Sequence, residues 1–79
     1  MDNQVVHQFT RNQDETIYMS LRRYKNKKYL DLRVFFQPKD SEEMIPTKKG
    51  LTLGVEYLGE LKKGILICER RLQTSKTES

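Results

Sequence analysis

The sequence predicts an α+β domain, strands first and one helix last. Two observations carry this. Between Thr16 and Phe36 apolar residues recur at every second position on either side of a short polar turn, the period of a half-buried strand; from Gly54 onward they recur at helical spacing. A third observation agrees: Pro38 and the polar run QPKDSEE fall between the periodic stretches rather than inside one.

In chain order, residues 1–16 are polar apart from Val5, Val6 and Phe9, and read as a weak edge strand or a frayed arm. From Thr16, Ile17, Met19 and Leu21 alternate with Tyr18, Ser20 and Arg22. The segment RYKNKKY supplies a turn, centred on Asn26 because asparagine tolerates a left-handed backbone. The return strand KYLDLRVFF places Leu30, Leu32, Val34 and Phe36 on one face, and Tyr29, Asp31, Arg33 and Phe35 on the other. MIPTKKGLTL reads as a further strand whose first half Pro46 pushes toward a bulge or a sheet edge.

From Val55 to Leu72 a helix about 27 Å long is expected, with Gly54 as a permissive N-cap, Glu56 in its first turn and Arg70 and Arg71 in its last. Leu58, Leu61, Ile65, Cys68 and Leu72 form one stripe, to which Leu66 and Ile67 do not belong. The run ILIC therefore wraps apolar surface around most of the helix. One sheet covers one side, so a second subunit is expected on the other. Gly59 and Gly64 are either points of close backbone approach or weak points in the helix.

Totals point the same way. With 79 residues, an apolar fraction of 35%, a charged fraction of 33% and a mean hydropathy of -0.81, the chain is too short and too polar for a comfortable core of its own. Burial borrowed from a second copy or a ligand is expected. The net charge of +4 is concentrated: residues 21–49 carry nine basic against four acidic residues, or +5, and the remainder is near neutral. The single cysteine, Cys68, excludes an intrachain disulfide and a thiolate metal cluster, which fits a reducing compartment. No apolar run reaches the ~18 residues of a membrane span, and the N-terminus has no basic-then-apolar signal pattern. His7 reads as a surface histidine and Cys68 as core, and Glu42 and Glu43, adjacent in a loop, do not make a positioned acid–base pair. No nucleophile–base set or phosphate-cradling loop stands out, so neither an enzyme nor a cofactor is expected.

The order of the parts is informative. SLRRYKNKKYLDLR followed by MIPTKKGLTL and a helix resembles the single-stranded-DNA-binding domain of the transcriptional coactivator family named after positive cofactor four, in its compact prokaryotic and phage form. The resemblance covers about Thr16 to Leu66. It implies a curved antiparallel sheet of about four strands followed by one C-terminal helix, dimerising through the helix at Leu58, Leu61, Ile65 and Leu66. It implies a DNA groove in which Tyr24 stacks on bases, Arg22, Lys25 and Lys27 surround it, and Arg33, Phe36, Pro46, Lys48 and Lys49 complete the lining. Phe36 stands where the family carries tryptophan, and Asn26 where it carries glycine. Arg33 and Phe36 differ by an odd number of positions, so on a straight strand they face opposite ways. Either a bulge or twist brings them together, or Phe35 takes the stacking role and Phe36 turns to the core. No serine-rich N-terminal region of the eukaryotic kind is present, which favours a cytoplasmic bacterial or phage setting over a nuclear one.

The resulting division is residues 1–15 as arm or first strand, 16–72 as the binding domain and 73–79 as a loose tail. The expected partners are single-stranded DNA, a second copy of the chain, and transcription, replication or recombination machinery, with no membrane. Cations along a groove grip phosphates and aromatic faces stack on any base, so such binding tolerates sequence and weakens with salt. Two other readings use the same residues. An RNA-binding protein would add contacts to the 2'-hydroxyl, and a protein-interaction module would dock the basic hairpin on an acidic surface without needing Tyr24 to stack.

Overall fold

The structure, a computed structural model, describes residues 3–75, with side-chain surroundings described as far as Gln73. Residues 76–79 of the expected tail lie outside the described residues. The order is β1 (Asn3–Thr10), β2 (Glu15–Tyr24), β3 (Lys27–Phe36) and β4 (Ile45–Gly54), then a 3-10 turn (Val55–Tyr57) and helix α1 (Leu58–Ser75). The strands form one antiparallel sheet in the order β1-β2-β3-β4. This is the predicted α+β arrangement, a meander followed by a single helix.

β1 pairs with β2 from Asn3 opposite Arg22 to Thr10 opposite Thr16, with a register shift between Val5 and His7. All its residues are exposed, His7 among them, as suits a polar edge strand. The β1–β2 loop is closed by Asn12, whose side-chain oxygen accepts the backbone N–H of Asp14 and of Glu15, each at 3.0 Å. β2 and β3 pair without a shift from Glu15 opposite Phe36 to Tyr24 opposite Lys27, leaving Lys25 and Asn26 as a two-residue turn. Both have positive φ, 50° and 67°. That is the pattern of a type I′ hairpin, whose twist matches the flanking strands. Asn26 suits it as expected; Lys25 adopts it too, against its own preference.

β4 is an edge strand, as Pro46 requires, and it is also bulged: Gly50 faces Arg33 and Pro46 faces Phe35, so Thr47, Lys48 and Lys49 all lie across from Val34. Gly50 has no room for a side chain, because an added Cβ would collide with the Leu32 carbonyl oxygen.

The helix begins later than its periodicity implied. Val55–Tyr57 wind as a 3-10 turn, common at helix starts, after Gly54 at φ -61°, ψ 148°. It also continues to Ser75, which removes Arg70 and Arg71 from the last turn. Leu61 and Ile65 stand across a trough of about 490 Å³ from Phe9, Ile17, Met19, Leu32 and Leu51 on the apolar face of the sheet. The helix therefore leaves that face largely open. Cys68 is exposed rather than buried, because no layer covers its side of the helix. Only Leu30 and Val34 among the described apolar residues are buried, both within β3. An added Cβ at Gly59 or Gly64 would meet nothing within 4 Å, so nothing within the chain requires glycine there.

Candidate nucleic-acid interface

Strand alternation sorts the candidate residues onto faces. On β2, Tyr18, Ser20, Arg22 and Tyr24 point one way, and their cross-strand partners on β3 are Arg33, Asp31, Tyr29 and Lys27. β4 adds Gly54 opposite Tyr29, Thr52 opposite Asp31, Gly50 opposite Arg33 and Pro46 opposite Phe35. This face combines aromatic, basic and hydroxyl groups, whereas the other carries Ile17, Met19, Leu30, Leu32, Val34 and Leu51.

At the hairpin end of the polar face, Arg22, Tyr24, Tyr29 and Thr52 line a slot of about 250 Å³. Tyr24 is 51% exposed, and the Lys25 ammonium lies 5.3 Å from its ring centroid, a cation–π arrangement that keeps positive charge beside a free aromatic face. Lys27, directly across from Tyr24, is exposed. At the other end of the face the rings of Tyr18 and Phe35 stack, 4.3 Å between centroids at 25°.

Between the two ends lies a closed polar cluster. Asp31, 5% exposed, receives Arg33 Nη2–H at 2.8 Å and the Thr52 hydroxyl at 2.6 Å on one oxygen, and Arg33 Nε–H at 3.4 Å on the other. Burial pushes the Asp31 pKa up, but the hydrogen bonds from Arg33 and Thr52 and the charges of Arg33 and Arg22 outweigh it and hold the carboxyl below its usual range. Arg33 is shifted upward in turn, chiefly by its hydrogen bond to Asp31.

The structure thus brings Arg22, Tyr24, Lys25, Lys27, Arg33 and Pro46 to one face. Lys48 projects from the bulge of β4 and is exposed. Lys49 lies elsewhere: it borders the apolar trough, with Nζ 3.8 Å from Glu15 Oε2. Glu15 also binds Arg11 at 3.0 Å. Its pKa is lowered, first by the hydrogen bond from Asn12 and then, against some desolvation, by Arg11 and Lys49. Phe36 does not join the set. β3 runs without a shift against β2, so Phe36 faces away from Arg33, 39% exposed and lining a shallow hollow with Asn12–Glu15. Phe35 is the phenylalanine that shares a face with Arg33. Tyr18, Tyr29 and Thr52 also belong to this surface although sequence reasoning did not place them in the site, reading Tyr29 as a packing residue. Their signal was parity: each sits an even number of residues from Arg22 or Arg33 on its strand, or directly across from a residue that does.

Among the described residues no group of three or more His, Cys, Asp or Glu is placed to hold a metal ion, and no helix is long and apolar enough to cross a membrane.

No curated protein matches this sequence. Solved structures do resemble the fold. A PC4 homologue from Burkholderia pseudomallei K96243, BPSL1147, superposes with a TM-score of 0.78 at 23% identity, over 87% of this chain and 92% of that one. A bacteriophage T5 homologue of the eukaryotic transcription coactivator PC4, described as implicated in recombination-dependent DNA replication, gives a TM-score of 0.66 at 16% identity, over 99% of this chain and 91% of its own. The family described as Transcriptional Coactivator p15 (PC4) matches residues 11–65, the stretch that contains β2, β3, β4 and the helix as far as Ile65. The chain belongs to the Transcriptional Coactivator p15 (PC4) family.

Proposed function

We propose that this protein is a sequence-tolerant single-stranded-DNA-binding protein that acts as a homodimer and holds unpaired DNA open during transcription, replication or recombination. The observation that carries the DNA reading is the hairpin end of the polar face, where an exposed Tyr24 ring, a slot beside it and the cations Arg22, Lys25 and Lys27 lie together. Stacking on Tyr24 supplies affinity without base selection, and the cations supply phosphate contacts. The Phe35–Tyr18 pair is the second stacking platform, in place of Phe36, with Pro46 beside it and Lys48 as a further phosphate contact. The likeness to a phage protein implicated in recombination-dependent replication makes that process the first to test.

The dimer is supported by what the chain leaves undone. Its radius of gyration is 15.5 Å, against roughly 12 Å for a compact domain of this length. Leu58, Ile65, Leu66 and Leu72 on the helix and Phe9, Leu21 and Leu51 on the sheet are each at least 37% exposed. A second copy packing at Leu58, Leu61, Ile65 and Leu66 covers that surface, and two antiparallel grooves then suit the two strands of a melted duplex.

The test is fluorescence anisotropy on oligo-dT, matched RNA and duplex DNA across a salt series. Tight binding to oligo-dT over duplex, weakened by Tyr24→Ala, is expected. Equal affinity for duplex and single strand, or no effect of Tyr24→Ala, would reject the stacking groove; tighter binding to RNA would reassign the ligand.

A further inference from the structure

Arg33 is the residue for which the structure gives a role different from the one its position in the sequence implies. A phosphate clamp needs free N–H donors and uncompensated charge. Arg33 has neither. A guanidinium carries five N–H groups, and five hydrogen bonds use them: Nε to Asp31, Nη1 to the carbonyls of Thr47 and Lys48 at 3.4 Å each, and Nη2 to Asp31 and to the Thr52 hydroxyl at 3.3 Å. The Asp31 carboxylate, 2.8 Å away, balances the charge, and the Arg33 side chain is only 22% exposed.

What Arg33 holds is the bulge of β4. Thr47 and Lys48, whose carbonyls it grips, lie in the stretch that leaves regular pairing between Pro46 and Gly50. Thr47 fastens the same stretch from its side chain, donating to the Val34 carbonyl at 2.7 Å and accepting the Lys49 N–H at 3.1 Å. The strand is shaped for this contact: a Cβ on Gly50 would stand 3.0 Å from Arg33 Cζ. Asp31, Arg33, Thr47, Thr52 and Gly50 thus form one fastening, with Lys48 as the charged group displayed at its outer end.

We infer that Arg33 is a positioning residue, a strut that fixes the β4 bulge and so aims Lys48 at the nucleic acid, and not a phosphate contact itself. The inference rests on the single-stranded-DNA reading above, and its test separates the two. Oligo-dT binding is measured across a salt series for the wild type, Arg33→Lys, Arg33→Gln, Lys48→Ala and the double variant Arg33→Gln/Lys48→Ala. Each phosphate that a variant no longer neutralises lowers the log–log salt slope by ~0.7. The strut requires that Arg33→Lys weaken binding as much as Arg33→Gln, because lysine keeps the charge but lacks the fork. It also requires that Lys48→Ala have little further effect once Arg33 is replaced. Affinity retained in Arg33→Lys, or additive losses in the double variant, would overturn it.

Should the Arg33 variants fail to fold, the wild type supplies the readout. Its Arg33 Nε–H should give an exchange-protected NMR signal that oligo-dT leaves unmoved while the Arg22 signal shifts. An unprotected Arg33 signal, or one that moves on binding, would reject the strut. A wild type that does not bind oligo-dT would overturn the function instead, and the free-state protection of Arg33 would still decide whether its donors are engaged.

Discussion

The two faces of the sheet are finished to different degrees. On the polar face the chain closes its own bonds: Asp31 and Ser20 are buried, Asp31 is paired with Arg33 and Thr52, and Tyr18 stacks on Phe35. On the apolar face Leu30 and Val34 are buried, but Leu21 stays exposed, as do Phe9 and Leu51 beside a trough that the helix borders without filling. Polar groups are satisfied by short-range hydrogen bonds that one strand triplet can supply, whereas apolar surface is covered only by a layer of comparable area. The chain holds a complete polar surface and half of a hydrophobic core. In the proposed function the first meets DNA and the second meets another copy.

The largest expected effect tests the unfinished face. Ile65→Asp should abolish dimers by sedimentation and lower the unfolding midpoint sharply, since burial of such a side chain is worth about 1.5–3 kcal/mol and the dimer would contain it twice. A variant that stays dimeric would place the interface elsewhere.

Next comes the polar face. Asp31→Asn should destabilise by about 1.5–3 kcal/mol, the usual worth of a hydrogen bond to a charged group, read by urea denaturation. The sign with pH follows from the lowered Asp31 pKa. Its contribution is present above the unfolded value, about 3.9, and is lost as pH falls through the lower folded value. Acid unfolding of the wild type should therefore steepen below about pH 4, and Asp31→Asn should lack that component.

A similar energy, but in binding alone, is expected of Tyr24→Ala: about 1–3 kcal/mol less affinity for oligo-dT, with stability nearly unchanged because the ring is half exposed. Lys25→Ala and Lys27→Ala should each flatten the salt dependence by ~0.7 in log–log slope, which separates charge contacts from the stacking that Tyr24 provides. The smallest effect belongs to the turn. Asn26→Gly should change stability by a few tenths of a kcal/mol, whereas Asn26→Val should cost about 1–2 kcal/mol, because φ there is 67°.

How much of this was legible beforehand differs by element. The β2–β3 hairpin was readable almost residue by residue, since alternation names the faces and Asn26 marks the turn. β1 was ambiguous because its residues are exposed throughout, so no buried face imposes a period on them. The helix was readable as a helix but not in its bounds. Its first turn is 3-10, which local periodicity does not separate from α.

The candidate site divides along the same line. Parity alone says that Arg22, Tyr24, Arg33 and Phe35 share a face and that Phe36 leaves it, because side chains alternate wherever a strand runs unbroken. Local sequence likewise determined the β2–β3 hairpin and the basic centre of the chain, which follow from alternation, a turn residue and composition. Only the tertiary structure decided that Lys49 pairs with Glu15, and that the five donors of Arg33 are occupied by Asp31, Thr47, Lys48 and Thr52. Asp31 lies two residues back on the same strand, but the other partners come from other strands and from a bulge whose register no periodicity encodes. Whether a charge is free or already matched depends on what the fold brings within about 4 Å of it.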